Sequence, residues 1–485
     1  MKFWHPSISL KIIHRENKHR IHRRERGHSQ MRPETQKKQL FGTNGARGIA
    51  GKDMVPALVF QIGAAFGSMR KGRIAVGRDT RTSGNSMLLA LKAGLRGAGC
   101  DVVDCGVLPT PALQYIVKDN FDGGAMITAS HNPPEYNGVK VIEADGTEMA
   151  DEDIVKLEQR MFNRALDVQP WDRVGHEVSD PALINQYVMA VVRHFPSQIG
   201  RGMLVVVDPG SGPACTTTPE ILKMLGCQVL TVNGTMDGRF PGRMPEPTPE
   251  GLAALSQLVI SSGASFGVAH DGDADRAVFV DEKGNYVEEN QEFAVVVQHL
   301  CQQQKGIIVT PVSTSQLIEA IARREGCSVT YTRVGSIYVA RTMHSLEKEG
   351  KKVIFGGEGN GGLIFPGHQF CRDGGMTAAM MVSILASGNE KLSELVGRLP
   401  KRHMIKDRVR AAIPEKLIEK LGHAFRDDLV EHTDGIKISR SSTWGLIRAS
   451  GTEPLIRIIV ESDDRVHAES FFHELMDIIS QNLPR

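Results

Sequence analysis

"LKAGLRGAGCDVVDCG", residues 91–106, runs from a helical stretch through Gly99-Cys100 into a β-branched run. A glycine in that place supplies the left-handed position at which a helix ends. The same sentence is written twice more, as "ILKMLGCQVLTVNG" at 221–234 and "AIARREGCSVTYTRVG" at 320–335, with Gly-Cys pairs at 226–227 and 326–327. Each copy is preceded by a strand and the start of its helix: "GRIAVGRDTR", "GMLVVVDPGSG" and "GIIVTPVSTS" lead into them. Each is followed by a second helix and another strand, the last being "GGAMITAS", "SFGVAHDGDADR" and "KKVIFGGEGNGG". Strands alternating with helices predict parallel, doubly wound α/β sheets, three of them. From about residue 400 the pattern breaks. "RASGTEPLIRI" lies there between strand-like stretches, and "DRVHAESFFHELMDIISQ" reads as a closing helix.

The three closing strands lead into three different polar loops. The first delivers "ITASHNPPEYNGVK", residues 127–140. Pro133 and Pro134 cannot donate to a ladder, so Ser130 is expected on a sharp turn at the end of a central strand. Ligands bind at such strand ends in α/β folds. A hydrolase reading, with His131 as base for Ser130, is disfavoured because neighbours in an extended chain point to opposite faces. No G-x-S-x-G elbow is present either. Phosphorylation of Ser130 fits better, adding about −2 of charge and strong acceptor oxygens.

The second loop, "DGDADR", places Asp271, Asp273 and Asp275 at alternate positions. Three converging carboxylates call for a cation, and hard oxygen ligands suit Mg²⁺ or Mn²⁺. Glu282 falls where a calcium EF-hand has its twelfth residue, but Arg276 stands at the sixth, which needs glycine, and "AVFVDEKG" reads as strand and turn. An exposed acidic turn is the plain alternative. The third loop, "GGEGNGG", offers Glu358 and Asn360 to vicinal hydroxyls, or is a structural glycine turn. Further along, "RASGTEP" combines the Arg448 fork, the Ser450 and Thr452 hydroxyls and a backbone nest at Gly451, a combination suited to phosphate. "FGTNGARGIAG" adds Arg47 as a second phosphate contact, or is a flexible loop leading into the fold.

Charge is unevenly spread. The net charge of the chain is +2, yet residues 1–38 hold eleven Lys/Arg and three Glu, which is +8 and leaves −6 for the remainder. The basic tail has no apolar core of a signal peptide. It reads as an arm for nucleic acid or a membrane surface, as a disordered extension, or as sequence ahead of a true start at Met31. The mildly acidic body carries no nucleic-acid footprint. No apolar run approaches the ~20 residues of a membrane helix. Seven scattered cysteines without a C-x-x-C pair suggest reduced thiols and a cytoplasmic protein.

These four loops, in this order, resemble the α-D-phosphohexomutase superfamily over nearly all of residues 39–485. "TASHNP" is similar to its phosphoserine loop, "DGDADR" to its magnesium loop, "GEGNG" to its sugar loop and "RASGTEP" to its phosphate loop. The resemblance implies three similar doubly wound α/β domains and a C-terminal α+β domain around a central cleft. The expected limits are 39–175, 176–284, 285–397 and 398–485, after the tail at 1–38. It implies that phospho-Ser130 donates to a hexose or hexosamine monophosphate, and that a bisphosphorylated sugar forms, turns and returns its other phosphate to Ser130. Asp271, Asp273 and Asp275, with Ser130, would hold Mg²⁺. Arg47 and Arg276 would contact the reacting phosphate, and Lys140 would act as acid, base or electrostatic partner. Glu358 and Asn360 would grip the sugar; Arg448, Ser450, Gly451 and Thr452 would hold the other phosphate.

Two departures stand out. Where many bacterial members end the sugar loop in Ser-Gly-His, this chain has Asn360, Gly361 and Gly362, and Ser336 replaces a His or Asp found after the "VG" of the third domain. The "GEGNGG" form is similar to archaeal phosphoglucosamine or phosphomannose mutases. A glucosamine phosphomutase is the leading expectation. A mannose or glucose phosphomutase, a sugar phosphatase using the same serine, and a sugar-phosphate binder without activity compete with it. The oligomeric state is left open.

Overall fold

The computed structural model describes residues 38–449 and 455–483. The basic tail, short of Lys38, lies outside them, as do Ser450, Gly451 and Thr452 of the phosphate loop.

The first sheet contains β1 (Phe41–Gly42), β2 (Gly45–Ile49), β3 (Arg73–Arg78), β4 (Asp101–Val107), β5 (Gly123–Ile127), β6 (Tyr136–Glu143) and β7 (Glu177–Ser179), in the order β1-β2-β6-β5-β3-β4-β7. The second contains β8 (Leu204–Asp208), β9 (Gln228–Thr231), β10 (Phe266–His270), β11 (Ala277–Asp281) and β12 (Tyr286–Val287), ordered β12-β11-β10-β8-β9. The third contains β13 (Ile307–Pro311), β14 (Ser328–Thr332), β15 (Val353–Glu358) and β16 (Gly362–Ile364), ordered β14-β13-β15-β16.

The repeat read from the sequence is visible as one topology built three times. The opening strand sits centrally, with the second strand parallel on one side and the closing strand parallel on the other. Gly99, Gly226 and Gly326 each have positive φ at the helix end, as the C′ position requires. The purely parallel expectation needs one amendment. Each closing strand also pairs antiparallel with the strand that follows it: β5 with β6, β10 with β11, β15 with β16. Short loops, unlike helical crossovers, permit only antiparallel return. Each functional loop is therefore the tip of such a return, at the carboxyl end of a parallel strand. Beyond the expected limit of the first domain, β7 still pairs with β4.

The last sheet is wholly antiparallel: β17 (His403–Val409), β18 (Leu429–Glu431), β19 (Ile436–Arg440), β20 (Thr443–Ala449) and β21 (Ile456–Ser462), ordered β17-β21-β20-β19-β18. Its core joins Ile438, Ile447 and Ile458 to Leu421, Phe471 and Leu475 of helices Glu415–Ala424 and Arg465–Asn482, with Phe425 at the end of the first, which makes it α+β. One apolar core runs unbroken through the first three domains, from Ala75 and Met126 through Val207 and Phe279 to Phe355 and Met381. Trp444, fully buried against Val312, ties the fourth domain to the third.

Candidate active site

Ser130 ends the first closing strand and is fully buried. Its φ of 51° is left-handed, so the turn is sharp as expected but not extended. Its amide donates to Thr128 Oγ1 at 2.8 Å, and Thr128 Oγ1 donates to Asp79 Oδ2 at 2.7 Å. The loop hangs from Arg81. That guanidinium donates to the carbonyls of Ser130 (2.7 Å), Asn132 (2.6 Å), Pro133 (2.5 Å) and Tyr136 (2.9 Å), and its Nε pairs with Asp79 at 3.1 Å. Five charge-assisted bonds from one buried side chain hold a backbone that would otherwise be costly to keep in this shape. The second domain repeats the device. Arg243 Nε donates to Asp208 Oδ2 at 2.8 Å, and its Nη2 donates to the carbonyl of His270, where the metal loop begins, at 2.7 Å.

Ser130 Oγ donates to Asp271 Oδ2 at 2.7 Å, which brings the first two loops together. A Cβ on Gly272 would stand 2.3 Å from the Ser130 carbonyl oxygen, so only glycine permits this approach. Asp271, Asp273 and Asp275 are buried, with ligand oxygens all within 4.8 Å of one another. The exposed-turn alternative is thereby excluded, and β11 follows the loop directly, so no EF-hand helix exists. Thr110 Oγ1 donates to Asp273 Oδ2 at 2.6 Å. Lys140 Nζ donates to Asp273 Oδ2 at 2.9 Å and Asp275 Oδ2 at 3.1 Å. The opposite oxygens, Asp273 Oδ1 and Asp275 Oδ1, are buried without a donor among the described residues. Buried carboxylate oxygens left bare fit a hard divalent cation.

Burial and the Asp275 and Asp273 charges push the Asp271 carboxyl up, to about 8. Burial acts the same way on Asp275, but Arg372 and Lys140 outweigh it and hold that carboxyl far below its ordinary value. Burial would lower Lys140, yet Asp273 and Asp275 raise it above the ordinary lysine value, so it is an ammonium at neutral pH.

His131 requires a correction. Because Ser130 is left-handed, the His131 ring does not point away: Nδ1 lies 3.4 Å from Ser130 Oγ. The ring is still a poor base. Arg276 Nη2 stands 3.1 Å from the same Nδ1, and burial together with Arg276 and Arg47 keeps the imidazole far below its ordinary pKa. Arg47, on β2, donates to Asn132 Oδ1 at 2.9 Å and to the Asn44 carbonyl at 3.3 Å, so it belongs to the serine loop and is no loose tether. Ser336 Oγ donates to Asn44 Oδ1 at 3.3 Å across the first and third domains.

The 358–362 loop adjoins the aspartate loop: Ala277 donates its amide to the Gly361 carbonyl at 3.0 Å. Glu358 is buried and accepts from Arg372 Nη1 at 3.0 Å; Asn360 Oδ1 accepts from the Gly362 amide at 3.2 Å. Arg448, on β20, faces Asp434 at 3.4 Å, and its buried Nε has no acceptor among the described residues. Asp79, Arg81 and Arg372 are parts of the site that motif reading missed, and Thr128, inside "TASHNP", was not singled out. "GRDTR" and "CRDGG" each put an Arg-Asp or Asp-x-Arg pair against an apolar strand or helix, and buried charge is the signal they carried.

Models of the phosphoglucomutase/phosphomannomutase family match the chain in four consecutive pieces: α/β/α domain I at 38–167, domain II at 185–284, domain III at 288–403 and the C-terminal domain at 407–478. A phosphoglucomutase/phosphomannomutase of Thermococcus kodakarensis is 41% identical over 464 residues, covering 92% of this chain and 99% of the relative. A phosphoglucosamine/phosphogalactosamine mutase of Sulfurisphaera tokodaii is 36% identical over 456 residues, covering 91% and 99%. Among solved structures, a phosphoglucomutase/phosphomannomutase family protein of Burkholderia thailandensis superposes with a TM-score of 0.82 at 27% identity, covering 92% of this chain and 99% of that one.

Proposed function

Since the chain belongs to the phosphoglucomutase/phosphomannomutase family and is therefore a phosphohexomutase, an isomerase, we propose that it interconverts glucosamine 6-phosphate and glucosamine 1-phosphate through phospho-Ser130. The observation that carries the mechanism is the 2.7 Å contact of Ser130 Oγ with the buried aspartate cluster. Phospho-Ser130 gives its phosphoryl group to the free hydroxyl of the sugar monophosphate. The Oγ–P bond breaks, the sugar O–P bond forms, and in net balance the hydroxyl proton ends on Oγ. The bisphosphorylated sugar then turns, and Ser130 takes back the other phosphoryl group by the reverse step.

Asp271, Asp273, Asp275 and Ser130 would hold Mg²⁺, which supplies charge neutralisation on the transferring group. Lys140 is suited to electrostatic stabilisation, because an ammonium paired with two carboxylates does not accept a proton. Arg47, bonded to Asn132, and Arg276, against the His131 ring, would contact the reacting phosphate. Arg448, with Ser450, Gly451 and Thr452, would hold the other one. Glu358 and Asn360 would grip sugar hydroxyls.

The glucosamine preference rests on Glu358 and on the S. tokodaii relative's name. One Glu358 oxygen is engaged by Arg372, and the other would take an ammonium or hydroxyl at C2. A charge-assisted hydrogen bond contributes about 1.5–3 kcal/mol, roughly a tenfold to hundredfold preference. Measured on glucosamine, mannose and glucose 1- and 6-phosphates, kcat/KM is expected at least about tenfold higher for glucosamine phosphate, with Glu358→Gln shrinking the ratio. A preference for mannose phosphate moves the assignment to a phosphomannomutase. Release of inorganic phosphate without sugar isomerisation moves it to a phosphatase. The seven free thiols accord with a cytoplasmic location.

A further inference from the structure

Arg372 lies in the connection between β16 and helix Gly374–Ser387, outside all four motif loops. It is buried, and its two terminal nitrogens go to different domains. Nη1 donates to Glu358 Oε2 at 3.0 Å in the sugar loop, and Nη2 donates to Asp275 Oδ2 at 2.5 Å in the metal loop. Lys140 shares that Asp275 oxygen, so the pair of cations turns the bare Oδ1 of Asp275 away from themselves. Asp373, the next residue, caps the helix by accepting from the Met376 amide at 2.9 Å, which anchors the base of the Arg372 side chain. The path of Arg372 also depends on an empty space. A Cβ on Gly362 would stand 2.3 Å from Arg372 Cδ and 3.1 Å from Cγ. Gly362 stands where the Ser-Gly-His ending has its histidine.

We propose that Arg372 is a positioning residue that fixes the sugar-gripping carboxylate Glu358 at a set distance from the phosphoryl-transfer centre, and that Gly362 is the residue that admits it. The inference rests on the phosphohexomutase mechanism with Glu358 as sugar contact. A planar fork holds two carboxylates at once in a fixed relation, whereas a lysine ammonium is a point charge on a flexible stem. The sugar must present first one oxygen and then the other to Ser130, so a reach error at Glu358 is felt in both half-reactions. A misplacement of about 1 Å costs on the order of a hundredfold in rate.

The test uses the full chain loaded with a hexose 1,6-bisphosphate. Arg372→Lys is expected to lower kcat/KM for isomerisation by on the order of a hundredfold, while intact mass still shows Ser130 phosphorylated to the wild-type extent. Arg372→Lys combined with Glu358→Gln should be no worse than about threefold below the poorer single variant, because both changes break one linkage. Gly362→Ala should reproduce the rate loss with every polar group retained, and thermal unfolding of each variant is followed alongside. An Arg372→Lys enzyme within threefold of wild type overturns the inference, as does a double variant whose losses multiply, or a Gly362→Ala enzyme that folds and works normally. If wild type itself isomerises no hexose phosphate, it is the mechanism that fails; if wild type turns over and Arg372→Lys matches it, only the positioning role fails.

Discussion

Arg81 Nη2 lies 2.7 Å from the carbonyl oxygen of Ser130, and the two residues stand 49 positions apart in the chain. The guanidinium touches the backbone of the serine loop at four points and the side chain of none of its residues. Replacement by lysine keeps the charge opposite Asp79 but cannot reach four carbonyls. Arg81→Lys is expected to reduce kcat by at least about tenfold and to lower the thermal midpoint, with KM for sugar phosphate moving less. Steady-state kinetics and calorimetry on one preparation check both.

Ser130→Ala would remove the proposed covalent route. Isomerase activity should fall by at least about a thousandfold, and the mass increment of one phosphoryl group expected on a fraction of wild-type chains should be absent from the variant. Retention of more than a tenth of the wild-type rate contradicts phospho-Ser130 as the donor.

Removal of divalent cations should abolish turnover, and Mg²⁺ should restore it. Asp273→Asn, which weakens one of the two bare oxygens, should raise the Mg²⁺ concentration needed for half-maximal rate. Calcium should support poor turnover because its looser coordination positions the phosphoryl group less well. Full activity after exhaustive chelation rules the cation out of the reaction.

Glu292 provides a pH prediction away from the chemistry. It lies fully buried in helix Glu289–Gln303, with neither carboxylate oxygen bonded among the described residues, and burial with the nearby Glu289 and Glu288 raises its pKa well above the ordinary value. A folded-state pKa above the unfolded one means that the folded chain holds the proton more tightly. Stability from this group is complete below about pH 4.3 and is lost as pH rises towards the folded pKa. Glu292→Gln should therefore raise the thermal midpoint at pH 8 and flatten its decline between pH 5 and 8. An unchanged pH profile of the midpoint sinks this assignment.

Much of the architecture was legible because it is repeated. Three Gly-Cys helix ends at the same place in three units leave little freedom, and the backbone turned at Gly99, Gly226 and Gly326 as the chemistry of glycine demands. Asp271, Asp273 and Asp275 were legible because their alternate spacing suits a cation, and burial then separated that reading from an exposed acidic turn. The antiparallel returns to β6, β11 and β16 were not, because a short polar loop looks the same whichever way the chain leaves it. His131 was misjudged through a single dihedral: its orientation depends on the left-handed φ of Ser130, which the Thr128, Asp79 and Arg81 contacts impose from a distance. Arg81 and Arg372 escaped motif reading because their partners are carbonyls and carboxylates far along the chain, and spacing along one strand does not encode them.

The paired struts, Asp79 with Arg81 and Asp208 with Arg243, grip main-chain oxygens of the loops above them. A support that holds only backbone is indifferent to the side chains it displays. One of these tips carries a serine and the next a carboxylate trio on the same scaffold, without the scaffold having to be redesigned. The chain thus behaves as a rack of sockets with exchangeable heads. New chemistry in such a protein is more cheaply acquired by rewriting a handful of residues at a tip than by altering anything beneath it.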